Sequence, residues 1–127
     1  MRATDEIFIA VVDDDESFRV AMTGLLRSLG HHAEAYASAE AFLASARGRE
    51  ADCVVSDVQM TGISGLEMKL RLNEERCAVP VIFVSAHANG ELHKQVAESG
   101  AVALLKKPFD AQDLIDHLND VIVSSQK

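Results

Sequence analysis

The sequence contains few of the residues that mark secreted or membrane proteins. It has two cysteines, Cys53 and Cys77, no tryptophan, one tyrosine and two prolines among 127 residues. Two cysteines without a CxxC pair make no disulfide framework, so we expect a reducing compartment and a cytoplasmic location. The first apolar run, IFIAVV, is followed at once by three aspartates, so we predict neither a signal peptide nor a membrane-spanning segment.

Basic residues are also scarce. Twelve Lys and Arg stand against 20 Asp and Glu, which gives a net charge of −8. So acidic a chain is poorly suited to nucleic acid or an anionic membrane, and we predict that this domain contacts neither directly. The apolar share of 48% excludes disorder of the whole chain, and 127 residues are the length of one domain. We therefore expect a single domain over residues 1–127.

Short apolar runs alternate with helical patterns five times along the chain. This alternation is typical of βα units that build a parallel sheet. The predicted strands span 7–12, 32–36, 53–56, 81–84 and 102–105. The predicted helices span 18–29, ended by Gly30, then a short segment capped by Ser38, then 66–72, 89–99 and a last helix capped by Asp110. Right-handed crossovers give a (βα)5 doubly wound, flavodoxin-like sandwich with a five-stranded parallel sheet in the order 2-1-3-4-5.

Charged or hydroxyl side chains follow four of the five predicted strands. In chain order they are Asp13 and Asp14, Asp57, Ser85, and Lys106 and Lys107. Ligands of open parallel sheets bind beyond the carboxyl ends of the strands, so we expect these side chains to meet at one edge. Two carboxylates about 4 Å apart repel each other by roughly 4 kcal/mol at an effective dielectric of 20, which calls for a cation. The set predicts an Mg²⁺ site and phosphoryl transfer onto Asp57 as the nucleophile.

Four segments resemble the signature segments of the response regulator receiver domain, in the CheY-like superfamily. They are VVDDDE, SDVQMTGISGLE, VIFVSAH and LLKKPF, and with their order and spacing the resemblance covers essentially the whole chain. SAEAFLAS and SAH are most similar to the FixJ/NarL-type transcription regulators. The resemblance implies a two-component signalling domain that receives a phosphoryl group from a sensor histidine kinase. It also implies a switch that acts only on itself, not an enzyme that turns over an external substrate.

The resemblance implies a role for each matching acidic residue. Asp57 is expected to be the phosphoacceptor. Asp14 and Asp57 are expected to bind Mg²⁺ directly, with the backbone carbonyl of Gln59 as a third ligand. Asp13 is expected to act on the metal mainly through water.

The resemblance also implies roles around the acidic group. Ser85 is the expected switch hydroxyl, and Lys107 is expected to bind a phosphoryl oxygen. The bond between Lys107 and Pro108 is expected to be cis. Gln59 and His87 match the variable positions that tune hydrolysis of the aspartyl phosphate.

Two positions depart from the pattern of the family. Thr61 stands where the family usually has proline, which makes the loop less rigid. Leu104 stands where the family has its switch aromatic, so a ring rotation cannot report phosphorylation here.

After Ile122 only VSSQK remains, so we expect no effector domain in this chain. We further expect that phosphorylation promotes a homodimer through helix four, strand five and helix five.

Three other interpretations of the same residues remain open at this point. Asp13 to Ser17 approximate the nucleophile motif of haloacid-dehalogenase-like phosphatases, with Asp13 as the nucleophile, although the last position and the short chain fit poorly. A flavodoxin-like FMN module is the second, although three aspartates after strand one repel a phosphate. The third is a degenerate receiver that only binds proteins. Zinc binding by the histidines and cysteines lacks the usual ligand spacing.

Overall fold

The computed structural model describes residues 6–125, which form one parallel five-stranded sheet with helices on both faces. The strands are β1 (Phe8–Val12), β2 (His32–Tyr36), β3 (Cys53–Asp57), β4 (Val81–Ser85) and β5 (Ala103–Lys106). The helices are α1 (Glu16–Ser28), α2 (Ala39–Leu43), α3 (Gly65–Glu74), α4 (Gly90–Glu98) and α5 (Ala111–Ser125). The strands lie in the order β2-β1-β3-β4-β5, so the predicted (βα)5 fold and strand order are confirmed. A 3-10 turn at Gly48–Glu50 was not predicted.

The core consists of two layers, one on each face of the sheet. Successive side chains of a strand point to opposite faces. Ile9 and Val11 therefore pack with residues of α1 and α5, whereas Ala10 and Val12 pack with residues of α2, α3 and α4. All five residues of β1 are buried because both faces are covered. This explains why the sequence of β1 is apolar throughout instead of alternating.

Side-chain caps set where the helices begin. Ser38 accepts a backbone N–H at 3.0 Å and Asp110 accepts one at 2.9 Å, as predicted for both helix starts. Asp15 caps α1 in the same way, so this helix begins at Glu16, two residues before the predicted start at Phe18. A cap satisfies an N–H group that has no partner within the helix, and a hydrophobic pattern alone does not locate it.

Three helices end at a residue in the left-handed backbone region. Gly30 has φ +93°, which confirms the predicted end of α1, and Gly100 has φ +83° after α4. After α3 the same place is taken by Arg76, with φ +58°. The N–H of Arg76 donates to the carbonyl of Asn73 at 3.0 Å, and the N–H of Cys77 donates to the carbonyl of Leu72 at 2.9 Å. This pair of hydrogen bonds at the end of the helix requires a left-handed backbone at residue 76. Glycine adopts that conformation freely, whereas in arginine it is strained.

We expect Arg76→Gly to raise the free energy of unfolding by about 1 kcal/mol, because glycine adopts the required conformation without a Cβ clash. The matched control is Gly30→Ala, which introduces the same strain at α1. A Cβ on Gly30 would meet no atom within 4 Å, so its expected loss of about 1 kcal/mol comes from the backbone alone. Urea unfolding measures both changes. An Arg76→Gly protein no more stable than the parent would contradict the assignment of strain.

Candidate functional site

Strand register brings the predicted polar residues to one edge of the sheet. Val12 pairs with Ser56, Asp57 with Val84, and Ser85 with Lys106. The carboxyl ends of β1, β3, β4 and β5 therefore lie side by side. β2 lies at one edge of the sheet, as the predicted strand order has it, and contributes no reactive end residue.

The three aspartates form a compact cluster at this edge. One carboxylate oxygen from each of Asp13, Asp14 and Asp57 lies within 4.8 Å of the others. The side chain of Asp13 is fully buried, that of Asp57 is 14% exposed, and Asp14 is exposed. Every donor atom in the cluster is a carboxylate oxygen, and a hard cation with oxygen ligands such as Mg²⁺ fits this set.

Lys107 supplies the positive charge of the site. Its Nζ lies 2.8 Å from Asp13 Oδ2 and 3.5 Å from Asp57 Oδ2. The peptide bond between Lys107 and Pro108 is cis, as predicted. Lys106 precedes it in the chain and is exposed. Of the two adjacent lysines, Lys107 is thus the one that bridges two of the clustered carboxylates.

Burial and the neighbouring charges together shift the pKa values of Asp57 and Lys107. Burial raises the pKa of Asp57 above its ordinary value, the nearby charge of Asp13 raises it further, and Lys107 acts the other way. Partial burial alone would lower the pKa of Lys107. Its hydrogen bond to Asp13 and the charges of both carboxylates outweigh burial, so the pKa lies above its usual range. Lys107 is therefore held in its charged form.

Backbone N–H groups hold the carboxylates in place. The N–H of Asp15 donates to Asp13 Oδ1 at 2.9 Å. Thr61 donates twice to Asp14 Oδ2, from its N–H at 2.9 Å and from its hydroxyl at 3.3 Å. The departure at Thr61, expected to loosen the loop, thus ties that loop to Asp14. Proline has no N–H and could make neither bond.

The remaining predicted residues surround the cluster. The N–H of Gln59 donates to Asp57 Oδ1 at 3.2 Å, which places the backbone of the proposed carbonyl ligand beside Asp57. Ser85 is buried, and its hydroxyl accepts the N–H of His87 at 3.0 Å. His87 itself is exposed. Leu104 lies farther into β5, where it is partly buried against the core layer of α2, α3 and α4.

Three residues that the sequence did not single out also shape the site. The ring of Phe18, which the sequence indicates only as the first residue of the predicted first helix, lies under the Lys107 ammonium group. Glu40 on α2 accepts the N–H of Ile63 at 3.2 Å and so anchors the loop before α3. Gly65 opens α3 against the backbone of Asp57. Of these, only a glycine directly before a predicted helix is a signal that the sequence offers.

The structure argues against the phosphatase-like, FMN-binding and zinc-binding interpretations of the sequence. Asp13 is fully buried and both of its oxygens accept hydrogen bonds, so it is badly placed to be a nucleophile. Asp14 and Asp57 beside it would repel the phosphate of FMN. Burial raises the pKa of Cys53 to about 12, which disfavours the thiolate that zinc needs. Among residues 6–125, no helix is both long and apolar enough to span a bilayer.

We expect Asp57→Asn to be more stable than the parent chain at pH 7 in EDTA, with a Tm higher by a few degrees. The pKa of Asp57 is raised in the folded state, so the folded chain holds this proton more tightly than the unfolded chain. The stability gained from the bound proton is complete below the ordinary pKa of 3.8 and is lost as the pH rises through the pKa of the folded state. The difference in Tm between variant and parent should therefore widen from about pH 4 upward. Thermal unfolding across this range measures it, with Asp120→Asn on the exposed side of α5 as control. A gap that stays constant would contradict the charge argument.

Residues 9–119 match the family model of the response regulator receiver domain. The sequence is 34% identical over 119 residues to the transcriptional regulatory protein TdiR of Thauera aromatica, covering 94% of this chain and 52% of that protein. It is 33% identical over 114 residues to the transcriptional regulatory protein FixJ of Bradyrhizobium diazoefficiens, covering 90% and 56%. The solved structure of the response regulator StyR matches with a TM-score of 0.82 at 34% identity, covering 91% and 58%. The chain spans about half the length of these curated relatives, and the matches confirm the resemblance seen in the four segments.

Proposed function

Because this chain belongs to the response regulator receiver domain family, we propose that it is a phosphorylation-dependent switch with Asp57 as the phosphoacceptor. One observation carries the proposal. A partly exposed carboxylate, Asp57, lies 3.5 Å from a lysine ammonium and within 4.8 Å of two further carboxylates. A cation-binding acidic group next to a lysine is what phosphoryl transfer to a carboxylate requires.

Exposure separates Asp57 from the buried Asp13 as the nucleophile, and the contact with Lys107 separates it from the exposed Asp14. Asp13 is buried and fixed by two hydrogen bonds, and Asp14 Oδ2 is held by Thr61. Asp57 lies at the end of β3 with 14% of its side chain exposed, so a phosphoryl donor can reach it. One of its oxygens attacks phosphorus while the phosphorus–nitrogen bond of a phosphohistidine breaks. The bonding pair leaves with the histidine nitrogen, and an acyl phosphate forms on Asp57.

Four residues would hold Mg²⁺ beside the acceptor. We propose the carboxylates of Asp14 and Asp57 and the backbone carbonyl of Gln59 as ligands, with Asp13 acting through water. Bound there, the ion would offset the negative charge of the carboxylates and of the incoming phosphoryl oxygens. Lys107 adds a second positive charge from the side of β5.

Phosphorylation changes the charge at Asp57 from −1 to roughly −1.5 to −2 on the phosphoryl group. Lys107 is placed to donate to a phosphoryl oxygen. The hydroxyl of Ser85 accepts the N–H of His87 and keeps its own proton for donation, so its turn toward the phosphoryl group would draw the loop after β4 with it. Leu104 would report this movement through a change of rotamer, and Gln59 and His87 would tune hydrolysis. The switch thus shifts between two populations.

Titration with beryllofluoride and Mg²⁺, followed by ¹H–¹⁵N NMR, tests the proposal. Beryllofluoride imitates a phosphoryl group on a carboxylate. We expect the amide signals of Ser85, His87 and Leu104 to shift in the parent chain and to stay in place in Asp57→Asn. Mg²⁺ alone is the control for effects of the metal. If the parent spectrum does not change around Ser85 and Leu104, the proposed switch is wrong.

We further propose the partners and setting of this switch. A sensor histidine kinase would supply the phosphoryl group, and the output would lie in transcription regulation, as the names of TdiR and FixJ suggest for those relatives. The acidic receiver would not itself contact nucleic acid, and it would act in the cytoplasm.

A phosphorylation-driven homodimer through α4, β5 and α5 is part of the proposal. Val102, directly before β5, and Val123, in α5, expose 41% and 58% of their surface.

A further inference from the structure

We propose that the ring of Phe18 positions the ammonium group of Lys107 for the phosphorylated site. This rests on the function proposed above and adds a positioning residue to it. Lys107 Nζ lies 4.1 Å from the centroid of the Phe18 ring. A cation within about 6 Å of a ring centroid is attracted by the negative face of the ring. Lys107 is thus held between an aromatic face and the carboxylates of Asp13 and Asp57.

Lys107 needs this support because open space lies beside it. Its side chain is 21% exposed and lines a mainly apolar cleft of about 540 Å³ between α1 and the segment after β5. Phe18 and Phe109 line the same cleft. A lysine side chain has many rotamers, and open space beside it leaves the ammonium group room to swing away from Asp57. The aromatic face favours the rotamer that keeps the ammonium group at the carboxylates.

The Phe18 ring is itself held by residues other than Lys107. It makes an edge-to-face contact with Phe109, with centroids 6.5 Å apart and planes at 70°. It also packs against the core layer of α1 and α5. The ring is therefore a fixed platform, and Lys107 is the mobile partner. Phosphoryl binding then requires little reordering of Lys107, which is how pre-organisation improves affinity.

The strength of an aromatic–cation contact depends on the electron density of the ring, and this separates it from mere packing. Fluorine atoms withdraw that density while changing the size of the ring little. We expect mono-, di- and trifluorophenylalanine at position 18 to raise the dissociation constant for beryllofluoride in Mg²⁺ stepwise, to about fivefold for the trifluoro ring. Phe18→Leu should reach the same level, and Phe18→Tyr should stay near the parent value.

The matched control is the same fluorinated series at Phe8. Its ring lies 4.3 Å from the guanidinium carbon of Arg47, so it makes the same kind of contact at the other end of β1. We expect no change in beryllofluoride affinity for this series. A flat response at Phe18, with normal binding by the parent chain, overturns the role of Phe18 and leaves the proposed function standing. Failure of the parent chain to bind overturns both.

Ring-current shifts test the geometry without any ligand. The ε-methylene protons of Lys107 should resonate upfield in the parent chain and return downfield in Phe18→Leu. Equal shifts in the two proteins would show that Lys107 does not lie over the ring, and the proposal would fail. If Phe18→Leu does not fold, the fluorinated chains retain the ring and decide the question.

Discussion

Asp57→Asn is expected to abolish phosphorylation of this chain by a small phosphodonor such as acetyl phosphate, with incorporation reduced by at least about 10²-fold. An asparagine side chain has nearly the same shape but is uncharged, and its amide oxygen is a poor nucleophile. Intact-mass spectrometry after incubation with the donor and Mg²⁺ measures the fraction phosphorylated. Acid and base treatment then distinguishes an acyl phosphate from a phosphate ester.

Two further variants make this result specific. Asp120→Asn removes a carboxylate from the exposed side of α5 and should leave labelling unchanged. Asp13→Asn should reduce labelling without abolishing it, because Asp13 fixes Lys107 and would bind the metal mainly through water. If Asp13→Asn alone abolished the labile phosphate and Asp57→Asn kept it, the phosphatase-like alternative would be correct.

Loss of labelling in Asp57→Asn will not be explained by unfolding. The parent carboxylate has a raised pKa in the folded state, so its ionised form destabilises the fold at neutral pH. The asparagine variant should therefore be at least as stable as the parent in EDTA. Reduced activity together with increased stability is typical of a site whose charges serve chemistry at a cost to the fold.

The arrangement of the site could be predicted because it follows from topology. Apolar runs separated by helical patterns predict a parallel sheet, and a parallel sheet gathers the residues that follow its strands at one edge. Asp13, Asp57 and Lys107 are far apart in the chain, yet Lys107 Nζ lies within 3.5 Å of oxygens of both carboxylates. No fine detail of side-chain packing was needed for that prediction.

Details that depend on local hydrogen bonds or on contacts between elements could not be predicted. The start of α1 depends on the side chain of Asp15, and the tie from Thr61 to Asp14 depends on the path of a loop. The place of the Phe18 ring under Lys107 depends on how α1 packs beside the segment after β5. Hydrophobic spacing placed Phe18 in the first predicted helix and carried no information about the cation above it.

Gly65 and Gly90 occupy equivalent places in two helices but very different surroundings. Each is the first residue of its helix, directly after a capping residue, Ser64 or Asn89. A Cβ on Gly65 would lie 2.2 Å from the backbone oxygen of Asp57 and 2.9 Å from the ring of Phe83. A Cβ on Gly90 would meet nothing within 4 Å. The close approach of α3 to the end of β3 is thus possible only with glycine at position 65.

Gly65→Ala is therefore expected to lower the free energy of unfolding by about 3 kcal/mol, because the methyl group must displace either α3 or the backbone of Asp57. Gly90→Ala, the matched control, should be neutral or more stable by about 0.5 kcal/mol, since alanine favours the helix. Urea unfolding gives both values. Beryllofluoride titration of the folded Gly65→Ala protein should also show weaker binding, since the acceptor backbone has shifted. Equal stability and equal affinity in the two variants would show that the approach of α3 to Asp57 is not close in solution.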